Sequence, residues 1–386
     1  MTITKKLFFF TLLTLSLLIP RQTFAQTTTT EKKPDIEYFK ASVLNIEDVI
    51  EKNEENITKS KQVIKVKILS GNEKNNEVQL PIPDKTAENN IQKIDIGEKI
   101  IISKNNLIDG SSNYVYVDTY RLPSLLLIFI IFILLVLYFG RLKGLGSLFG
   151  LIFSILVLRY FIVPQIAGGA NPLLITIVGS VVILSVSLYL AHGFNKRTHL
   201  SMLSTLITLG ISIGLATFFV NISRLLGQGS EDAMFLANSS LGEINLQGLL
   251  LAGIIIGTLG VLDDITTAQT SVVGELRLAN PTLSKHELHK RALVVGKEHI
   301  SSLVNTLVLA YAGASLPLFL LFSAYPDTPF WYSLNSQFIS EEVVRTLVGS
   351  TALILAVPIS TYIAAHFLSK TEVTKMKVEE FHGHHH

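Results

Sequence analysis

The sequence predicts a polytopic α-helical membrane bundle preceded by a small extracytoplasmic β-rich domain. Three observations carry that prediction. The chain is 48% apolar and only 16% charged, too rich in hydrocarbon for an ordinary soluble protein. Its charges are uneven: residues 26–122 hold about half of the acidic side chains, and the rest is mostly apolar. Seven long apolar stretches follow residue 122, each close to the ~20 residues that a bilayer core requires. The formal charge of +2 lies near zero, so no nucleic-acid partner is expected. There is no cysteine, which excludes disulfides and thiolate metal sites. No motif calls for a cofactor.

Residues 1–25 read as a signal sequence. Lys5 and Lys6 form its basic region, residues 7–19 its apolar run, and Thr23-Phe24-Ala25 a cleavage site. An uncleaved anchor is the alternative, and both place residue 26 outside. In the domain of residues 26–122, residues 27–35 read as a linker and residues 38–56 as carrying one helix. Ile64, Val66 and Ile68 alternate with Lys65 and Lys67, as in a half-buried strand. Residues 98–103 and 114–117 also read as strands, and Ser70-Gly71-Asn72 and Asp109-Gly110 as turns. Several short strands in so few residues predict a small β-barrel or OB-like fold.

The membrane domain of residues 123–369 is expected to cross near 123–139, 145–163, 172–192, 200–221, 247–263, 300–323 and 343–368. Basic residues set the orientation. Arg141, Lys143, Lys196, Arg197, Arg277, Lys285, Lys290, Arg291 and Lys297 all fall on one side, with Lys370, Lys375 and Lys377 of the tail 370–386. That side is therefore read as the cytoplasm. Trp331, Tyr332 and Tyr325, beside Pro326 and Pro329, read as interfacial anchors in an outer loop. Pro317 and Pro358 fall inside expected spans, where a missing N–H can kink a helix. Arg159 either snorkels outward or pairs with a carboxylate.

The most informative stretch is 249–275, where a glycine-rich apolar helix runs into Asp263 and Asp264 and then into Thr, Gln and Ser. Carboxylates at the end of a span are costly unless they face protein, water or an ion. On a helical projection Gly253, Gly257, Gly260, Asp264, Thr267 and Ser271 share a face. Gly253-x-x-x-Gly257 would admit a close helix neighbour, including a second copy of the chain. Asp264 is thus expected to point inward, with Asp263 turned aside toward Thr266, Thr267 and Thr270. The next span enters from the same side, with Glu298, Ser301, Ser302 and Asn305 on one face. Asp263, Asp264, Thr267, Gln269, Glu298, Ser302 and Asn305 would then line a polar pocket suited to a hard cation, a proton or a small solute. The competing readings are solvated interfacial aspartates and a hydrogen-bond network that only joins helices.

Catalytic patterns fare worse. Adjacent aspartates on one helix diverge and cannot form a facing acid–base pair. His286-Glu287-Leu288-His289 lacks the spacing of HExxH, and the sequence holds no phosphate-binding glycine loop. A hydrolase site built from His299, Glu298 and Asp264 is a minor alternative. The histidines at the end of the chain, His382 and residues 384–386, could bind a metal weakly, and a tail without a specific role is the favoured reading.

Three strings resemble the YibE/F family of bacterial multipass membrane proteins. They are Gly260-Val261-Leu262-Asp263-Asp264-Ile265-Thr266-Thr267-Ala268-Gln269, Glu275-Leu276-Arg277 with Ala279-Asn280-Pro281, and the run from Gly296-Lys297-Glu298-His299 through Asn305-Thr306 to Gly313. The resemblance implies a bacterial cytoplasmic membrane protein with its N-terminal domain outside and its C-terminus cytoplasmic. It transfers no activity. The residues favour a transporter or channel-like permease over an enzyme. The alternative is an envelope binding or assembly protein that grips its partner through the outer β-domain.

Overall fold

The computed structural model describes residues 36–52, 58–82, 94–106, 112–238, 244–317, 320 and 328–371. The signal sequence, the linker 27–35, the Asp109-Gly110 turn, Tyr325, Pro326 and the tail beyond residue 371 lie outside the described residues. The chain divides into two units, Ala25–Leu134 and a second that begins at Leu135.

The first unit holds a five-stranded antiparallel sheet: β1 (Ile36–Lys52), β2 (Thr58–Ile68), β3 (Glu77–Pro81), β4 (Lys99–Asn106) and β5 (Ser112–Thr119), in the order β3-β2-β1-β4-β5. It curls as a half-barrel. Ile64, Val66 and Ile68 point inward and are fully buried, joining Phe39, Ala41, Val43, Leu80, Ile100 and Ile102. Lys65 points outward and pairs with Glu77 at 2.7 Å. The strands expected at 98–103 and 114–117 are β4 and β5.

Over the described residues 38–52 the helix expected within 38–56 is not there: they belong to β1, the central strand. The inward set Phe39, Ala41 and Val43 has period two, and β1 pairs with both β2 and β4. Two ladders of backbone hydrogen bonds outweigh a weak local helical preference. The Ser70-Gly71-Asn72 turn is present, and Gly71 adopts φ 77° against the Phe39 ring.

Just beyond that turn, the carboxylate of Glu73 accepts hydrogen bonds from the ammonium of Lys104 and the hydroxyl of Tyr114. Lys104 first, then Tyr114, holds the Glu73 carboxyl below its usual range. A folded-state value below the unfolded one stabilises the fold fully above the unfolded value, and that stabilisation is lost as pH falls through the lowered folded value. Glu73→Gln should therefore melt below wild type at about pH 7, with the difference shrinking at an acidic pH as the lowered folded value is approached. Thermal melts of the full chain at both pH values check this.

The second unit is helical, and its first helix begins in the first unit. The elements are α1 (Leu122–Val157), continued through a π-turn (Leu158–Ile162) into α2 (Val163–Ala167), then α3 (Pro172–His192), α4 (Lys196–Ile222), α5 (Glu231–Ala237), α6 (Leu246–Ala279), α7 (Lys285–Ala314), α8 (Phe330–Leu334) and α9 (Gln337–Leu368). Asparagine side chains cap α3, α4 and α6, and Ser284 with Glu287 forms a capping box on α7.

Five helices are long and apolar enough to cross a membrane: Leu122–Ala167, Pro172–His192, Lys196–Ile222, Leu246–Ala279 and Gln337–Leu368. The stretches expected at 123–139 and 145–163 both lie in the first of these. It breaks at Arg141, where φ is 48° and ψ −131°. The chain doubles back tightly there, since a Cβ on Gly144 would stand 2.4 Å from the Val136 carbonyl oxygen. The stretch expected from 300 belongs to α7, which opens with charged residues and is not among the five. Pro358 lies inside α9 as expected. Pro317 does not lie inside α7, which ends at Ala314 with Ser315 as its C-cap; the chain turns at Ser315, and Leu316 and Pro317 are helical again just beyond it.

Helices α4, α6 and α9 make the most extensive mutual contacts, and α3 packs on α6. Leu184, Leu188, Leu262, Ala352, Ala356 and Val357 fill the centre. Arg159 lies over the Tyr160 ring, with 5.6 Å to the centroid. Trp331 and Tyr332 are exposed. Between α4 and α5, Gly227 takes φ 79°, and a Cβ there would stand 2.1 Å from the Leu246 carbonyl oxygen. Gly227→Ala combines backbone strain with a clash, so a loss of about 2–4 kcal/mol is expected, read as a lower unfolding midpoint in detergent.

Candidate functional site

The interior of the bundle is rich in hydroxyls. Along α4, Thr198, Ser201, Thr205, Thr208 and Ser212 recur at steps of three and four, and all are buried. Two of them bond back to the carbonyl one turn earlier: Thr205 to Ser201 at 3.0 Å and Thr208 to Ser204 at 2.8 Å. Small side chains satisfied within their own helix let neighbours approach closely.

Helix α6 meets this ladder through its own threonines. The Thr205 and Thr266 hydroxyls are 2.6 Å apart, and Ser201 donates to Thr267 at 3.1 Å. Asp263 precedes Thr266 and Thr267 by one turn and so lies on the same side of α6. Its Oδ1 is buried and has no hydrogen-bond partner. A buried carboxylate oxygen without a donor is costly, so its retention calls for an explanation.

Asp264 is placed otherwise than expected. It is exposed, as are Gly253, Gly257 and Gly260 on its face. Nothing stands within contact distance of a Cβ at Gly253 or Gly260; Gly257 meets only the Tyr311 hydroxyl. The inward face of α6 is instead Leu251, Ile255, Thr258, Leu262, Thr266, Gln269 and Val273. The reason is steric: Leu and Ile side chains fill the centre of the bundle, and the glycine stripe is left outside. Asp264 interacts electrostatically with His192 at the end of α3.

Gln269 is almost fully buried and joins three helices. Its Nε2 donates to the Ala292 carbonyl of α7 at 2.9 Å and to the Thr361 hydroxyl of α9 at 2.8 Å. Gly296 makes room for it, since a Cβ there would lie 3.0 Å from Nε2 and 2.4 Å from Val357 Cγ1. The Oε1 atom has no partner.

Glu298, Ser302 and Asn305 are exposed on α7. The hydroxyl of Ser301 on that face, like that of Thr306, bonds only within α7. The structure thus brings Asp263, Thr267 and Gln269 to the packed side of α6, and leaves Asp264, Glu298, Ser302 and Asn305 on exposed faces. Among the described residues no three His, Asp or Glu side chains converge as metal ligands would.

The model of the YibE/F-like protein family matches residues 128–370. The chain belongs to that family. No curated protein and no solved structure matches it. The family match covers the helical part of this YibE/F-like chain and stops short of the β-sheet.

Two further features shape the site. The α4 ladder is visible as Thr198-x2-Ser201-x3-Thr205-x2-Thr208-x3-Ser212, a hydroxyl repeat at helical spacing. Arg197, one residue before the ladder, pairs with Glu275 at 2.8 Å and packs on Gly274, where a Cβ would meet its Nε at 2.5 Å. A glycine opposite a basic residue is no signal until the helices are docked.

Proposed function

We propose that this chain is a permease for a proton or a small cation, with Asp263 as the group that meets it. The observation that carries the reading is the buried Asp263 oxygen without a donor, one turn from the Thr266–Thr205 and Thr267–Ser201 contacts. A proton or a hard cation would supply the missing partner, and hydroxyl oxygens are suitable further ligands. Asp264 and His192 form the outer part of the same polar patch. Glu298, Ser302 and Asn305 would join it only after α7 rotates or approaches α6.

In this reading the chain crosses seven times. The two halves of α1 on either side of Arg141 count separately, and α7 is the sixth crossing. Its basic loops face the cytoplasm, and the β-sheet lies outside a bacterial cytoplasmic membrane. Sealed liposomes holding the purified chain, loaded with a pH-sensitive or cation-sensitive dye, test the reading. Faster dissipation of an imposed gradient than in protein-free liposomes supports it. Equal leakage for protons and for every alkali and alkaline-earth cation removes it.

A second reading, an envelope assembly factor, draws on the exposed Val115 and Val117 of edge strand β5. Deleting residues 31–118 separates the two: a permease core keeps flux, whereas an assembly factor loses its role.

A further inference from the structure

At the end of the bundle where α7 begins and α9 ends, basic groups gather around one imidazole. Lys285 Nζ lies 2.9 Å from His366 Nδ1, and Lys370 Nζ lies 3.5 Å from His366 Nε2. Lys285 also sits over the Tyr362 ring at 4.5 Å, with its ammonium 3.5 Å from the Tyr362 hydroxyl. The scaffold beneath is fixed. Arg277 donates to the Ser369 carbonyl at 2.9 Å, and Ser369 Oγ donates to the His366 carbonyl at 3.1 Å.

The donor count does not close. A neutral imidazole has one N–H and one acceptor nitrogen. If Nδ1 accepts from Lys285, Nε2 carries the hydrogen and faces the Lys370 ammonium. If Nε2 accepts from Lys370, the N–H faces Lys285. A protonated ring faces ammonium groups on both sides. In every state an N–H and an ammonium meet without an acceptor between them.

Among the described residues no acid relieves this. Glu287 is held in the Ser284 capping box, and Glu275 pairs with Arg197. Among the described residues neither Lys285 nor Lys370 has a carboxylate partner. The group that fits is an anion with several acceptor oxygens, able to bridge two ammoniums and an imidazole N–H. The surroundings suggest its source. Tyr362 and Phe367 are exposed at the end of an apolar helix, the level at which aromatic side chains meet lipid headgroups.

We propose that Lys285, His366 and Lys370 form a binding site for a phosphate group, presented by an anionic lipid at the membrane interface. A free phosphate shares this chemistry, and the experiment distinguishes the two. Neither the site nor its test depends on the permease reading, because no flux is measured.

The purified full chain in detergent is titrated with phosphatidylglycerol or phosphatidylcholine, and retained lipid is counted by native mass spectrometry. Wild type should hold one phosphatidylglycerol about tenfold more tightly than Lys370→Gln or the double variant Lys285→Gln/Lys370→Gln, while Lys370→Arg keeps it. Inorganic phosphate is the competing probe. If only millimolar phosphate displaces the lipid, the lipid is the ligand; if phosphate binds alone and phosphatidylglycerol gains nothing over phosphatidylcholine, the site takes soluble phosphate. Equal retention by wild type and Lys370→Gln, a side chain on the exposed end of the helix, overturns the proposal. So does the absence of any response to either probe.

Discussion

Asp263→Asn is expected to remove flux while leaving the folded protein in the membrane. Asparagine keeps the shape of the side chain and discards its charge, so packing against α4 is preserved. What is lost is the interaction between a carboxylate and the ion that meets it, about 1.5–3 kcal/mol, which corresponds to about a tenfold to hundredfold fall in flux. Stability should move the other way or not at all, because the Asp263 Oδ1 atom has no donor to lose. A group kept for structure would show the opposite pattern: a lower melting point with flux retained. Asp264→Asn should have a smaller effect on flux, since that side chain is exposed and only coupled at a distance to His192. Dye-monitored liposomes with wild type, Asp263→Asn and Asp264→Asn at equal protein content make the comparison.

Gln269→Ala is expected to destabilise the bundle by about 2–5 kcal/mol, because it removes two interhelical hydrogen bonds and leaves a cavity among three helices. Ala292 of α7 loses its extra donor, and Thr361 of α9 keeps only its bond to the Val357 carbonyl at 2.7 Å. Gly296→Ala attacks the same point from the other side, pressing a methyl against Val357 and the Gln269 amide, and should cost about 1–3 kcal/mol. The two effects will not add, since both act on one contact. Unfolding in detergent followed by circular dichroism reads both. A Gln269→Ala protein that melts with wild type would show that α6, α7 and α9 are held by apolar packing alone.

The fold was legible wherever periodicity was strong. The alternation of Ile64, Val66 and Ile68 and the long apolar runs after residue 122 are one-dimensional signals, and both reappear as β2 and as the apolar helices. Residues 38–56 misled because β1 owes its form to two neighbouring strands, which local propensity does not contain. The face of α6 misled for a related reason. Glycine spacing says where a helix could be approached, not whether another helix comes. At Gly253 and Gly260 none does, and the bulky residues a third of a turn away take the interior. Asp263 was legible as a neighbour of Thr266 and Thr267, because positions three and four apart share a face on any helix. The Gln269 junction was not, because its side chain bonds to a backbone carbonyl 23 residues away and to a hydroxyl 92 residues away in the chain.

The central claim is that water and a mobile ion reach the hydroxyl-lined side of α6 beside Asp263. The chain has no cysteine, so Thr267→Cys would carry its single thiol at that place. A small, hydrophilic, membrane-impermeant methanethiosulfonate reagent should label this thiol in intact inverted membranes, and a proton or cation load should slow the reaction. A thiol that stays unlabelled until the protein is unfolded would mean a sealed hydrogen-bond seam, and the permease account would be wrong.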